Sequence, residues 1–241
     1  LPTRGLTSIA GIVPLDWLRD NTGPIARTVT DAAITLGVMA GEDPKDFRTR
    51  DSAGRAQPGP YTRYLKADAL AGKRFGVPAF IVAQPGDINK TDTPLEPETR
   101  AMFMKAIEGM RAAGATVVFD DALLPQSFSA LVAAVNTGRW GAEGTEAFLR
   151  DFGPAAYHSG AEYATAVGSP LPMGFSAAPP PPLASDPQAE PMFWEPQRKA
   201  LAAYDEAFDR FRLDGLVYPA IQMPPFDEVA VALKGRRSQG P

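Results

Sequence analysis

The first strong hydrophobic pattern of the chain has helical spacing. Apolar side chains recur every three or four positions, as they do on one face of a helix. These side chains are Val29, Ala32, Ala33, Leu36, Met39 and Ala40. Either Thr28 or Thr30 is a suitable N-cap, and Gly41 with Pro44 is a suitable stop. The pattern therefore predicts a helix that begins at Thr28 or Thr30 and ends before Gly41.

The next pattern predicts a β-α-β unit. Residues 73–78 and 116–119 are short β-rich segments, and Pro97 between them suits the first turn of a helix. The apolar face of that helix consists of Phe103, Ala106, Ile107, Met110 and Ala113. Strand, helix and strand in this order indicate a parallel pair joined by a right-handed crossover.

Three further helices and one strand are predicted in the second half. The helices follow Ser127, lie between Trp140 and Asp151, and follow residue 194. The apolar face of the last helix consists of Trp194, Leu201, Tyr204, Phe208 and Phe211. A buried strand is predicted over residues 214–219, so the chain has the element pattern of an α/β protein.

Residues 168–196 have no periodicity and are rich in proline, with four consecutive prolines at 179–182 that favour polyproline II. The composition favours an exposed excursion. The alternative is a lid or wall of a substrate pocket, because long loops on α/β scaffolds often carry function. Its apolar side chains would then be Met173, Phe175, Met192, Phe193 and Trp194.

Composition excludes several classes of function. The chain has 241 residues, is 44% hydrophobic and carries a net charge of −4, as in ordinary soluble globular proteins. The negative balance argues against a nucleic-acid surface, and no apolar run is long enough to span a bilayer. The absence of cysteine excludes disulfides, zinc thiolate sites and cysteine nucleophiles, although it does not fix the compartment.

Catalytic motifs are scarce. The chain has one histidine, His158, and no Gly-x-Ser-x-Gly elbow, P-loop or Gly-x-Gly-x-x-Gly fingerprint. A lone histidine without cysteine makes a transition-metal site a poor interpretation. His158 is better interpreted as a surface or pocket-edge residue than as a catalytic base. Composition and periodicity therefore name no reaction.

The order of motifs in residues 1–46 carries more information. The motifs are Pro2-Thr3-Arg4-Gly5, Gly11-Ile12-Val13-Pro14, the run Asp20-Asn21-Thr22-Gly23-Pro24-Ile25-Ala26-Arg27-Thr28-Val29-Thr30-Asp31-Ala32-Ala33, and Gly41-Glu42-Asp43-Pro44-Lys45-Asp46. In this order they resemble the amidase signature family, in the segment that follows its Gly/Ser-rich signature. Leu1 stands where the family usually has lysine, and Asn21 where it often has threonine. Residues 214–219 also resemble a strand of that family.

The resemblance implies an α/β fold with a mixed, mostly parallel central sheet flanked by helices. Residues 1–241 would form part of a single amidase signature domain, with residues 168–196 as a Pro-rich excursion within it. The fold would be incomplete in this chain, with an exposed sheet edge and apolar surface. We therefore expect the isolated chain to be poorly soluble.

The resemblance also implies a reaction. Amidase signature enzymes hydrolyse carbon–nitrogen amide bonds through an acyl-enzyme, with a Ser–cis-Ser–Lys triad and no cofactor. In the family the two serines and the lysine precede the segment that matches Leu1–Gly5. We therefore expect the catalytic residues upstream of Leu1, and this chain alone to be inactive.

Five residues are substrate-binding candidates under this resemblance. They are Asp20, Thr22, Trp140, Met173 and Phe175. Asp20 and Thr22 lie in a loop that approaches the pocket in the family, and the alternative for Asp20 is a structural turn or cap. The other three would form an apolar pocket. Phe128 and Trp194 have the chemistry for that pocket too, but they are better interpreted as core residues.

The partner implied is a small-molecule amide substrate, together with the missing N- and C-terminal parts of the same domain. Neither a nucleic-acid partner nor a membrane span is favoured, and a homodimer is left open. One alternative is the A-type component of a glutamine-dependent tRNA amidotransferase. Another is a non-catalytic scaffold or binding domain of the same fold. The acidic balance and the Pro-rich segment favour the amidase over the tRNA amidotransferase.

Overall fold

Two compact units make up this computed structural model, which describes residues 2–82, 95–124, 127–169 and 180–221. The first unit combines Leu1–Ala67 with Val132–Arg198, and the second combines Asp68–Leu131 with Lys199–Pro241. The helices are α1 (Val29–Met39), α2 (Ser52–Arg55), α3 (Pro97–Ala112), α4 (Ser127–Ala133), α5 (Gly141–Phe152), α6 (Gly160–Val167) and α7 (Glu195–Phe211). The strands are β1 (Arg74–Pro78), β2 (Thr116–Asp120) and β3 (Gly215–Leu216).

The three strands form one parallel sheet in the second unit, in the order β2-β1-β3. Gly76 of β1 lies opposite Val118 on one side and Leu216 on the other. Helix α3 connects β1 to β2, so the predicted β-α-β unit with its parallel pair is confirmed. The α/β fold class is confirmed as well.

Helix α3 packs its apolar face against this sheet. Phe103 and Ile107, one helical turn apart, form a buried cluster with Val77 of β1 and Val117 of β2. Pro97 opens the helix, where its missing N–H costs little, and Ile107 is completely buried. The spacing that predicted the helix therefore also predicted the residues that anchor it.

A second buried cluster lies along α7. Phe128 packs edge-on against Tyr204, with 4.6 Å between ring centroids, and Ala207 is buried beside them. The core prediction for Phe128 is confirmed. The predicted apolar face of α7 is wrong for Leu201, which is 55% exposed, because the small side chains of Ala200 and Ala207 are the buried positions of this helix.

The predicted first helix is confirmed as α1 in the first unit. Thr28 is its N-cap, and its hydroxyl accepts the backbone N–H of Asp31 at 3.1 Å. None of its residues is buried by the described part of the chain, and Val29 and Val38 are 73% and 83% exposed. Nor is any helix of that part long and apolar enough to cross a membrane.

The described part of the Pro-rich segment is packed rather than exposed. Leu183, Ala189 and Phe193 join Leu18 and Trp140 in the buried core of the first unit. The interpretation as an exposed excursion is therefore wrong for residues 180–193. This burial depends on contacts with distant parts of the chain, which local composition does not register.

Trp194 and α6 also differ from the prediction. Trp194 closes a π-helical turn, Glu190–Trp194, and is 37% exposed, so its assignment to the core is wrong. Helix α6 was not predicted. It begins after the N-cap Ser159, whose hydroxyl accepts the N–H of Glu162, and ends at Gly168 in a left-handed conformation.

Candidate functional site

A cleft of about 970 Å³ in the first unit is the candidate site. One wall is the exposed side of α5, and a second is the first half of α6. Trp17, Phe47 and Trp140 supply aromatic surface, and Pro180 and Pro182 border the opening from the Pro-rich segment. The volume is within the range of small-molecule sites.

Helix α5 separates the cleft from the core by its periodicity. The positions that line the cleft are Glu143, Glu146, Ala147 and Arg150. The buried positions with the same spacing are Ala142, Thr145 and Leu149. Residues three or four apart share a helix face, so the polar face of this helix becomes a wall of the cleft.

The aromatic wall depends on a close approach between α5 and the loop before α1. Trp17 packs against Phe47 with 5.3 Å between ring centroids. A Cβ added to Gly144 would lie 2.3 Å from Cγ of Trp17, a distance that real Cβ atoms do not adopt. Only glycine at this position of the helix therefore allows the Trp17 side chain its observed place.

Trp140 is almost completely buried, and an ion pair holds its turn. Nε of the adjacent Arg139 donates to Asp186 at 2.7 Å, and the Asp186 side chain is 1% exposed. This hydrogen bond is the main cause that lowers the pKa of Asp186, with a smaller contribution from the Trp140 indole. The Pro-rich segment is thereby tied to the aromatic end of the cleft.

Two glutamates of α5 tie the walls together. Glu143 accepts the backbone N–H of Leu183 at 2.7 Å, and Glu146 accepts that of Gly160 at 3.1 Å. Burial raises the pKa of Glu143, and the hydrogen bond from Leu183 opposes that shift without cancelling it. The Glu143 carboxyl therefore holds its proton more tightly than a free glutamate does.

Cations face the cleft as well. Nζ of Lys45 lies 5.0 Å from the ring centroid of Phe152, a cation–π distance. Arg150 pairs with Asp151 at 2.8 Å, and their mutual hydrogen bond raises the pKa of Arg150 and lowers that of Asp151. Arg48 donates to the backbone carbonyl of Trp17. The cleft thus combines an aromatic surface with charges of both signs.

This lining can bind a ligand but supplies no nucleophile. Among the described residues that line the cleft, none carries a hydroxyl, thiol or imidazole group. Acyl transfer needs such a group beside a base and an oxyanion hole. The reactive groups of any hydrolysis here would have to come from elsewhere in the protein.

Two sequence candidates have structural roles in their loop. The Asp20 carboxylate accepts the N–H groups of Leu15 at 2.8 Å and of Asp16 at 3.1 Å, as a turn cap does. The Thr22 hydroxyl donates to the carbonyl of Ser8 at 3.1 Å and contacts the hydroxyl of Thr7. Neither lines the cleft, and their role in substrate binding stays a prediction.

The other candidates divide differently. Trp140 lines the cleft, whereas Met173 and Phe175 lie outside the described residues. His158 is exposed, as predicted for a surface residue, and its backbone N–H donates to Glu162 at 2.6 Å. Sequence reasoning missed four lining residues: Trp17, Lys45, Glu143 and Glu146. The spacing of the two glutamates was a signal, but a solvent-exposed helix face has the same pattern.

Comparison with known proteins covers most of the chain. A family model described as Amidase matches residues 1–234. A probable amidase of Arabidopsis thaliana is 42% identical over 76 residues, which are 32% of this chain and 15% of that protein. The A-type component of the glutamyl-tRNA(Gln) amidotransferase of Acidobacterium capsulatum is 40% identical over 118 residues, which are 48% of this chain and 22% of that protein.

A solved structure agrees in fold. The structure of a peptide amidase in complex with the competitive inhibitor chymostatin superimposes with a TM-score of 0.59 at 25% sequence identity. The superposition covers 96% of this chain and 48% of the peptide amidase. The chain therefore spans about half the length of this structural relative, and the aligned segments span 15% and 22% of the two curated relatives.

Proposed function

We propose, from the premise that this chain belongs to the amidase family, that the protein hydrolyses carbon–nitrogen amide bonds other than peptide bonds. The observation that carries this proposal is the family match over residues 1–234. The cleft of the first unit is the substrate site in this proposal. Its aromatic wall favours a small amide with an aryl or aliphatic body over a highly charged substrate.

The catalytic residues of the proposal belong to a part of the protein outside this chain. A serine attacks the amide carbonyl, and a second serine, which follows a cis peptide bond, relays the proton to a neutral lysine. The amine leaves with a proton, and water then releases the carboxylic acid from the acyl-enzyme. The motif resemblance of residues 1–46 supports this assignment, and so does a cleft lining without a nucleophile.

A second candidate function has an observation of its own. The Acidobacterium capsulatum relative, which is 40% identical over its aligned segment, is one component of a glutamyl-tRNA(Gln) amidotransferase. A component of this kind would release ammonia from glutamine and work with partner proteins on charged tRNA. The net charge of −4 and the Pro-rich segment beside the cleft favour the independent amidase.

The two functions differ in their need for partners. The purified full-length protein is to be assayed alone for ammonia release from benzamide, from an aliphatic amide and from glutamine. We expect turnover of at least one simple amide without any added partner protein or tRNA, and no turnover by residues 1–241 alone. Release from glutamine alone, and only with tRNA and partner proteins present, would favour the second function. No release from any of these amides would contradict both.

The assignment of the cleft has a matched pair of variants on α6. Ala161 lines the cleft, whereas Ala166 is exposed on the same helix and does not. Ala161→Phe fills part of the cleft, so we expect a raised KM for the amide. Ala166→Phe should leave KM unchanged. Equal kinetics of the two variants would exclude the cleft as the substrate site, whatever the reaction.

A further inference from the structure

A second cavity in the first unit, of about 350 Å³, shares no lining residue with the cleft. It lies between the loop at residues 3–6 and the segment that contains α2. We call it the Arg4 cavity. Its polar lining consists of Thr3, Arg4, Ser52, Arg55, Gln57 and Tyr61. All six side chains can donate hydrogen bonds, and none of the described residues in the lining is acidic.

Two polar atoms of this lining have no partner. Nε of Arg4 and Oγ of Ser52 are both buried without a hydrogen bond. Within the described part of the chain, no other guanidinium nitrogen of Arg4 donates a hydrogen bond or forms an ion pair. Buried polar groups in folded proteins are nearly always satisfied, so an unsatisfied pair at one cavity calls for a partner.

Arg55 is held at the same wall by the backbone. Its Nε donates to the carbonyl of Asp51 at 3.4 Å, and its Nη2 donates to the carbonyl of Arg50. Both partners are neutral carbonyls, so the charge of Arg55 is not neutralised by them. The guanidinium is therefore positioned in advance and still able to bind an anion.

The loop that carries Arg4 is fixed in place by Gly5. Gly5 has a φ of +84°, and a Cβ at this position would lie 2.4 Å from the carbonyl oxygen of Arg48. A side chain at residue 5 would push the loop away from residue 48. The glycine therefore sets the depth at which Arg4 enters the wall of the cavity.

The local charge also favours an anion. Burial lowers the pKa of Arg4, and the nearby guanidinium of Arg48 lowers it further, although Asp46, Asp16 and Asp20 oppose the shift. An adjacent cavity is lined by Arg4 and Arg55 together with Arg48 and Arg50, and by Asp51 as its acidic member among the described residues. The wall that the two cavities share is therefore strongly positive.

We propose that the Arg4 cavity binds a small oxyanion, a carboxylate or a phosphate, through Arg4 and Arg55, with the hydroxyl of Ser52 as a further donor. Planar guanidinium groups bind both kinds of oxyanion through paired hydrogen bonds. The bound anion satisfies donors that the chain leaves unpaired. This site is independent of the amide chemistry proposed above.

The test uses the full-length protein with inorganic phosphate and with acetate as probes. Each is titrated at constant ionic strength against chloride, by thermal melting and by calorimetry. We expect a saturable rise in Tm with at least one oxyanion and none with chloride alone. The stronger of the two probes identifies phosphate or carboxylate as the group that the site prefers.

Two variants and a control locate the binding. Arg4→Gln and Arg55→Gln should each weaken oxyanion binding about tenfold or more, because each removes a charge-assisted donor. Arg63→Gln makes the same change of charge outside the cavity, at an exposed residue that donates to Tyr64, and should leave the affinity unchanged. Arg55 is exposed, so its variant is informative even if Arg4→Gln does not fold.

The proposal fails on any of three results. One is the absence of saturable binding in the full-length protein. Another is an equal rise in Tm with chloride at the same ionic strength. The third is an unchanged affinity in folded Arg55→Gln, or a loss of affinity in Arg63→Gln as large as in the cavity variants.

Discussion

A single buried carboxylate joins three parts of the first unit. Oδ2 of Asp46 accepts the backbone N–H of Ile9 at 2.9 Å, while Oδ1 accepts Nε of Arg48 at 2.5 Å. The side chains of Asp46 and Arg48 are 1% and 9% exposed. Since Arg48 also reaches the carbonyl of Trp17, this ion pair supports the aromatic wall of the cleft.

Asp46→Ala should therefore destabilise the protein severely. The substitution leaves the Arg48 guanidinium buried without its counter-ion, which costs about 3–5 kcal/mol in comparable buried pairs. The measurement is the free energy of unfolding in urea, for the full-length protein. Glu42→Ala, which removes an exposed acid four residues earlier, is the control and should change little. Similar losses in the two variants would contradict the role given to Asp46.

Glu143 predicts a pH dependence of stability. Its pKa is raised in the folded state, so its contribution to stability is complete below the pKa of an unfolded glutamate and is lost as the pH rises through the folded pKa. Glu143→Gln stays neutral and can still accept the N–H of Leu183. We expect its Tm to equal or exceed that of the parent protein at pH 7, with a gap that narrows as the pH falls below about 4.

The control for this pH dependence is Glu108→Gln on α3. Glu108 is exposed, so the variant reports the loss of one negative charge alone. A gap for Glu143→Gln that widens in acid, or that follows the Glu108 variant at every pH, would contradict the buried character of Glu143. The effect should be modest, because the carboxyl is only half-buried.

At the scale of elements, local pattern predicted what local pattern determines. The β-α-β unit follows from an apolar face at helical spacing between two β-rich segments, and α1 follows from its cap and its periodicity. The burial of Leu183 and Asp186 could not be found this way. Their places depend on Glu143 and Arg139, about 40 residues earlier, and proline-rich sequence carries no periodicity to indicate a buried side.

The contact between α5 and Trp17 gives the prediction at this scale. Gly144→Ala forces the helix and the loop apart, and overpacking of this kind costs about 1–3 kcal/mol. We expect a lower Tm and a raised KM for the amide substrate, because Trp17 leaves its place in the cleft. Gly141→Ala, on the same helix with nothing within 4 Å of the added Cβ, should do neither. A normal KM in folded Gly144→Ala would contradict this role of Trp17.

For the whole molecule, the sequence identified the family but little of the cleft. Trp140 was a candidate, whereas Trp17 and Lys45 were not, because the cleft is assembled from segments far apart in the chain. No short motif marks such an assembly, and charges on the face of a helix are usually solvated. That residues 1–241 belong to a single domain stays a prediction.

Exposed apolar surface predicts poor solubility of the isolated chain. Ile25, Val29 and Val38 are among its large exposed side chains, and β2 and β3 each have one unpaired side among the described strands. We expect residues 1–241 to elute as aggregates in size-exclusion chromatography at high concentration, and the full-length protein as a defined species. Monodisperse residues 1–241 with cooperative unfolding would contradict this expectation.

The pairing of β1 has a consequence for synthesis on the ribosome. β1 pairs with β2 within the same stretch of chain, but the hydrogen bond from Arg74 to Asp214 at the start of β3 spans 140 positions. At typical translation rates, roughly 7–28 s separate the synthesis of these two residues. During that interval one side of the nascent β1 has no strand to pair with. The emerging chain therefore offers a chaperone an open strand edge long before its own last strand is available.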